Sequence, residues 1–96
     1  MGGEHRFVYT ECITASEYDI IKAYFEQRKS GINKKYTELD DEFCAAAGIS
    51  EGCYVNGIYS DDDIEIYFIK GTSYYDISIS QTGINDEKVI TQITHL

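Results

Sequence analysis

The sequence predicts an α+β fold: a single small domain over residues 1–96, with an antiparallel sheet of about four strands and two or three helices packed on one face. Three observations lead to this prediction. The chain has 96 residues, 43% of them apolar, which suffices for one core but not for a second lobe. Some segments alternate apolar and polar residues, as strands do, and others repeat apolar residues at the three- and four-residue steps of a helix. No internal repeat divides the sequence further.

The first two predicted elements are a strand over residues 5–13 and a helix that ends near Ser30. The strand segment is rich in β-branched and aromatic residues. Thr14 and Glu17 have the spacing of a capping box, in which each side chain bonds to a free amide at a helix start. Apolar residues then recur at helical steps, and Gly31 is expected to end the helix.

A second, shorter helix is predicted after another candidate cap, Thr37. Acidic residues in its first turns suit the positive end of the helix dipole. Gly48 follows three alanines and precedes the apolar Ile49, a composition typical of a helix that ends in a left-handed residue.

Three antiparallel strands are predicted over residues 53–59, 64–69 and 73–80, separated by glycines and a run of aspartates. In the last two segments apolar residues alternate with polar residues or tyrosine, which predicts one sheet face in the core and the other in water. Residues 86–96 have apolar residues at helical steps but a β-branched composition. A helix is favoured there over a strand, and both remain open.

The composition argues against several classes of function. The sequence carries 17 acidic and 8 basic residues, a net charge of −9, whereas proteins hold nucleic acids and anionic membranes with Lys and Arg. We therefore expect a basic protein as the direct partner, and neither nucleic acid nor a membrane. No segment resembles a secretory signal or a membrane span, so a cytoplasmic location is expected.

No catalytic or metal-binding motif is apparent in the sequence. Cys12, Cys44 and Cys53 lack the spacing of a zinc site, and the acids around the last two should raise the pKa of their thiols. The aspartate run at 61–63 lacks the spacing of a calcium-binding loop. We accordingly expect no enzyme activity, no cofactor and no resident metal.

The negative charge is concentrated in one segment. No Lys or Arg lies between Lys35 and Lys70, and the nine acidic residues of this window equal the whole net charge. A solvated, non-functional surface explains such a segment as well as a binding surface does. The binding interpretation is preferred because tyrosines, which are enriched in binding surfaces, accompany the acids.

Ten residues are predicted to form the partner-binding surface. They are acids and tyrosines of the charged window, together with those expected beside them on the polar face of the sheet. The set comprises Tyr59, Asp61, Asp62, Asp63, Glu65, Tyr67, Tyr74, Asp76, Asp40 and Asp41. A helix lying over this face of the sheet would remove the tyrosines and carboxylates from the surface.

These features predict a small acidic inhibitor of another protein. Its most concrete form is an immunity protein that covers the basic active site of a bacterial nuclease toxin, with carboxylates in place of phosphates and tyrosines in place of stacked bases. A nucleic-acid mimic that inhibits a phage-defence nuclease rests on the same argument. A homodimeric adaptor joined through the tyrosine-rich sheet is a second alternative, so a monomer or a weak homodimer is expected. A small enzyme or ligand-binding protein is least favoured, because catalytic spacing is missing.

Overall fold

A computed structural model describes residues 6–57, 63–80 and 87–96 of the protein, which contain eight strands and helices. In chain order these are β1 (Arg6–Thr14), α1 (Tyr18–Ser30), β2 (Thr37–Glu38), α2 (Asp41–Ala47), β3 (Glu51–Asn56), β4 (Asp63–Lys70), β5 (Ser73–Ser80) and α3 (Glu87–Thr94). The five strands form one antiparallel sheet in the order β1-β5-β4-β3-β2. The predicted α+β class is confirmed, with five strands where about four were expected.

Strands β3, β4 and β5 form the meander that the sequence predicts. Lys70 pairs with Ser73, so a two-residue turn joins β4 to β5, and Gly71 there has a positive φ of 64°. Strand β1 pairs with the far side of β5 and forms one edge of the sheet, while the short β2 forms the other. The strand predicted over residues 53–59 corresponds to β3, which ends at Asn56 before Gly57; residues 58 and 59 of that prediction lie outside the described residues.

One face of the sheet, which we call the α2/α3 face, packs against α2 and α3. Its buried apolar side chains come from alternate positions of β4 and β5, as predicted. They are Ile64, Ile66, Phe68, Ile77 and Ile79. Phe43 and Ala47 of α2 and Val89 and Ile93 of α3 complete this core.

The opposite face, which we call the α1 face, is covered at one end by α1. Ile21 and Phe25 are fully buried against Ile69 and Tyr74 of this face. The helices thus lie on both faces, whereas the prediction put them on one face and left the other in water. The difference arises because α1 must bury its own apolar stripe, and Ile69 with Tyr74 supplies a second apolar surface.

Both predicted helix starts are wrong by a few residues. Thr14 belongs to β1, and Glu17 is the N-cap of α1 without a side-chain hydrogen bond. Thr37 lies in β2, and Asp40 caps α2 by accepting a hydrogen bond from the backbone N–H of Phe43 at 2.7 Å. Pairing with neighbouring strands keeps the chain extended through both threonines, because sheet partners satisfy the backbone there.

The end of α2 and the helical conformation of the C-terminal segment follow the predictions. Gly48 ends α2 in the left-handed conformation, with φ 75°. Residues Glu87–Thr94 form a helix, the favoured alternative for the C-terminal segment. Lys70 Nζ donates to the carbonyls of Thr94 at 3.0 Å and Leu96 at 2.7 Å, which ties the end of α3 to β4. None of the described helices is long and apolar enough to cross a membrane.

Candidate functional site

The structure divides the ten predicted binding residues into separate groups. Tyr59, Asp61 and Asp62 lie outside the described residues. Asp40 and Asp41 lie exposed at the start of α2. The remaining five are on the α1 face of the sheet, and four of them come together in one cavity. These four are Glu65, Tyr67, Tyr74 and Asp76.

This cavity has a volume of about 320 Å³ and lies between the α1 face, the end of α1 and the segment that follows it. We call it the carboxylate cavity. Besides the four predicted residues, its lining includes three charged side chains that sequence reasoning missed: Glu11 of β1, Arg28 of α1 and Lys34. The predicted surface patch of tyrosines and carboxylates is therefore a partly enclosed site, and Tyr74 within it is fully buried.

The sheet register explains why these side chains meet. Asp76 of β5 pairs with Tyr67 of β4 on one side and with Glu11 of β1 on the other. Directly paired residues of antiparallel strands point to the same face. A register shift between Tyr9 and Glu11 places Glu11, rather than its neighbour Thr10, opposite Asp76. Three adjacent strands thus contribute polar groups to one point of the α1 face.

Asp76 and Glu65 form a buried carboxyl pair. Asp76 is only 9% exposed and Glu65 only 7%. Burial raises the pKa of Asp76 to about 8, and the neighbouring Glu65 adds to the increase through a hydrogen bond and its charge, whereas Arg28 opposes it. Ionising two adjacent buried carboxyls is costly, so Asp76 retains its proton near neutral pH.

Glu11 lies beside Asp76 on the neighbouring strand β1 and forms an ion pair with Arg28. Arg28 Nη2 donates to Glu11 Oε2 at 2.8 Å, and the Tyr24 hydroxyl donates to the same oxygen. The guanidinium of Arg28 also lies over the Tyr24 ring, with its carbon 4.9 Å from the ring centre. This arrangement holds the end of α1 against β1. In the described part of the chain Arg28 forms its ion pair with Glu11 and none with Glu65.

Two buried polar atoms of residues that line the cavity have no hydrogen-bond partner among the described residues: the hydroxyl oxygen of Tyr74 and Oδ1 of Asp76. The Tyr67 hydroxyl bonds to Glu65. Burial is the largest cause that raises the pKa of both tyrosines, so their hydroxyls stay protonated. Buried polar groups in proteins almost always have partners, and a cavity with two unpaired ones has unused capacity to bind a polar ligand.

Asp63, the fifth predicted residue of the α1 face, does not belong to the carboxylate cavity. It is 7% exposed and lines a second cavity of about 390 Å³ further along the same face. Arg6 and Val8 of β1 lie on the other side of that cavity. The five predicted residues of the α1 face are therefore split between two cavities.

A different acidic region lies on the outside of the molecule at the start of α2. We call Asp40, Asp41 and Glu42 the acidic surface; all three are exposed. Asp40 caps the helix. Neither Asp41 nor Glu42 has an ion-pair partner in the described part of the chain. Two of its three residues, Asp40 and Asp41, belong to the predicted binding set.

Two of the three missed residues had a recognisable signal in the sequence. Glu11 is an acid inside a strand segment rich in β-branched and aromatic residues, and Arg28 falls on the same helical repeat as Ile21 and Phe25. Charged residues on apolar faces often mark polar sites.

Comparison of the chain with protein-family models, curated proteins and solved structures gives no match. Function is therefore inferred from the residues themselves.

Proposed function

We propose that this protein is a non-catalytic inhibitor that binds a basic site on another protein in the cytoplasm. Its most concrete form is an immunity protein that neutralises a bacterial nuclease toxin. The observation that carries the proposal is the acidic surface, where Asp41 and Glu42 are exposed and without ion pairs in the described part of the chain. Nuclease sites are basic because they bind phosphates, so carboxylates can occupy them.

The distribution of the bases supports this use of the acidic surface. The basic residues of α1 are engaged by acids of α1 itself and of β1, β2 and β3. The pairs are Lys22 with Glu26 and Glu51, Arg28 with Glu11, and Lys29 with Glu38. Because α1 and α2 lie on opposite faces of the sheet, these bases do not offset the charge at the start of α2.

The net charge of −9 adds a long-range contribution. A strongly acidic protein attracts a basic partner before contact, which raises the association rate and makes it fall with salt. A nucleic-acid mimic directed at a phage-defence nuclease would use the same surface. Tyrosine stacking in such a complex would come from exposed rings such as Tyr36 rather than from the buried Tyr74.

The test compares three versions of the protein: the wild type, the double variant Asp41→Lys with Glu42→Lys, and a control double variant, Glu17→Lys with Asp19→Lys. Glu17 and Asp19 are also exposed at the start of a helix, so the control carries the same charge change and a similar helix-dipole cost. Each version is used to capture proteins from lysate of the source organism at low and high salt. The captured protein is then purified, and inhibition of its nuclease activity is titrated.

The wild type and the control should capture one basic nuclease, release it at high salt and inhibit it with similar affinity. The α2 double variant should bind at least about tenfold more weakly, because two attractive charges become repulsive ones. Equal inhibition by all three versions would refute the role of the acidic surface. Capture of no basic protein at either salt would refute the inhibitor proposal.

A further inference from the structure

We propose that the carboxylate cavity binds a guanidinium group. Glu65 and Asp76 accept hydrogen bonds from this group, and the neighbouring tyrosines form the walls of the cavity. The cavity lies on the α1 face, away from the acidic surface of α2. The inference therefore does not depend on the proposed inhibitor function. The guanidinium can belong to a free small molecule or to an arginine side chain, since both present the same chemistry.

The hydrogen-bond acceptors at the cavity are buried carboxyl oxygens. Asp76 Oδ1 is buried and has no hydrogen-bond partner in the described residues. The neighbouring Glu65 is only 7% exposed. In a low-dielectric environment an unpaired acceptor is costly, and a charged donor recovers more of this cost than a neutral one. These two carboxyl groups therefore favour a cationic donor.

The charges that face this pair come from every element around the cavity. Arg28 of α1 is paired with Glu11 of β1 at 2.8 Å, and Lys34 donates to the Gly57 carbonyl at 3.3 Å. Tyr67 of β4 and Tyr74 of β5 are neutral. Neither cation forms an ion pair with Glu65 or Asp76 within the described ranges. The carboxyl pair consequently lacks a counter-ion from these elements.

The walls of the cavity favour guanidinium over ammonium. Tyr67 and Tyr74 supply aromatic surface, Val55 supplies apolar surface, and the Tyr74 hydroxyl is unpaired. A guanidinium is planar, stacks on aromatic rings and loses less hydration on burial than an ammonium group does. Arg28 on Tyr24 already shows this contact at the same end of α1. A volume of about 320 Å³ accommodates the group with a short aliphatic chain.

Binding should release a proton. A guanidinium beside the pair favours the ionised form of Asp76, whose proton passes to the solvent, and no bond to carbon is made or broken. Because Asp76 in the free protein holds this proton up to a pKa of about 8, affinity should rise with pH up to that value and then level off.

The experiment titrates the purified full chain with methylguanidinium below and above the pKa of Asp76. Binding is followed by calorimetry and by the carboxyl carbon signals of Glu65 and Asp76 in nuclear magnetic resonance. Urea, which is planar but neutral, and methylammonium serve as comparison ligands at matched ionic strength. The variants are Asp76→Asn and, as a control, Glu51→Gln, which removes a sheet carboxylate that pairs with Lys22 outside the cavity.

Methylguanidinium should shift both carboxyl signals in a saturable way and release a proton at the lower pH. Its affinity should be at least about tenfold lower in Asp76→Asn and unchanged in Glu51→Gln. Agmatine and a blocked arginine amide then distinguish the sources, since a site for free ligands favours the first and a site for protein side chains favours the second. Asparagine resembles a protonated aspartate, so Asp76→Asn should keep its far-ultraviolet circular dichroism.

Three results would overturn the inference. The first is the absence of a saturable shift at either pH. The second is equal or tighter binding of urea or methylammonium. The third is binding of Mg²⁺ at the same two carboxyls with displacement of methylguanidinium, which would assign the site to a metal ion instead. Because the purified chain is used alone, each of these results leaves the inhibitor proposal standing.

Discussion

The proton on Asp76 makes the stability of the protein depend on pH. An aspartate in an unfolded chain has a pKa near 3.8, whereas burial and Glu65 raise that of folded Asp76 to about 8. The folded state thus binds more protons than the unfolded state between these two values. The free energy of unfolding should therefore receive a contribution from Asp76 that falls as pH rises through this window and is constant above it.

Urea unfolding of the wild type and Asp76→Asn at several pH values measures this contribution. The variant should lack it, so the difference between the two proteins should change by up to about 1.4 kcal/mol per pH unit within the window, the limit for one proton. Two parallel curves would contradict the assignment of the proton to Asp76.

Gly52 and Gly31 should respond oppositely to substitution by alanine. A Cβ on Gly52 of β3 would come within 2.6 Å of the Tyr67 carbonyl oxygen and 2.7 Å of Phe68 Cβ, so Gly52→Ala should cost about 1–3 kcal/mol or more. A Cβ on Gly31, where φ is −87°, meets no atom closer than 3.5 Å. Gly31→Ala should stabilise by about 0.4–1 kcal/mol through lower entropy of the unfolded chain. Chemical denaturation measures both, and a well-tolerated Gly52→Ala would contradict the close packing of β3.

The three cysteines should differ in reactivity. Burial raises the pKa of Cys53 to about 11 and also raises that of Cys44, with a further increase at Cys44 from Asp41 and Asp40. The increase in the pKa of both thiols that the sequence predicts is confirmed, but burial contributes more to it than the acids do. Iodoacetamide at mildly alkaline pH should modify the exposed Cys12 first and Cys53 only after unfolding. Mass spectrometry of timed samples follows the order, and early modification of Cys53 would show that β3 opens readily.

Among the helices, α1 is attached to the sheet through a small number of buried side chains. Phe25 is fully buried and lies 6.1 Å, centre to centre, from the Tyr74 ring. Phe25→Ala should destabilise by about 3–5 kcal/mol because it leaves a cavity under α1. Ile20, on the same helix but 52% exposed, provides the matched control, and Ile20→Ala should change stability by less than about 0.5 kcal/mol. Similar losses for both variants would contradict the burial pattern of α1.

Strand β1 illustrates how much one element depends on its neighbours. The sequence correctly predicts a strand there from β-branched and aromatic residues. The register shift after Tyr9 has no local signature, because a bulge is defined only against the partner strand. That shift decides whether Glu11 or Thr10 faces Asp76, and so it decides the composition of the carboxylate cavity.

For the protein as a whole, the excess of acids should cause self-repulsion in the folded state. With a net charge of −9 at pH 7, added NaCl should raise the urea midpoint, since screening reduces repulsion among distant exposed charges. The ion pairs of α1 are at least partly open to solvent, so they contribute little and do not reverse this effect. A midpoint that falls with salt would show that the ion pairs outweigh the repulsion.

The α+β class, the main strand segments, the first helix and the acidic character follow from patterns within short stretches of sequence. Period and composition are local properties, and they predicted these features correctly, apart from helix starts where a sheet partner replaced a cap at Thr14 and Thr37. The covering of both sheet faces and the meeting of Glu11, Arg28, Glu65 and Asp76 in one cavity required the folded chain. Strand pairing and helix packing join residues far apart in sequence, and no local period encodes which distant segment will cover a given face.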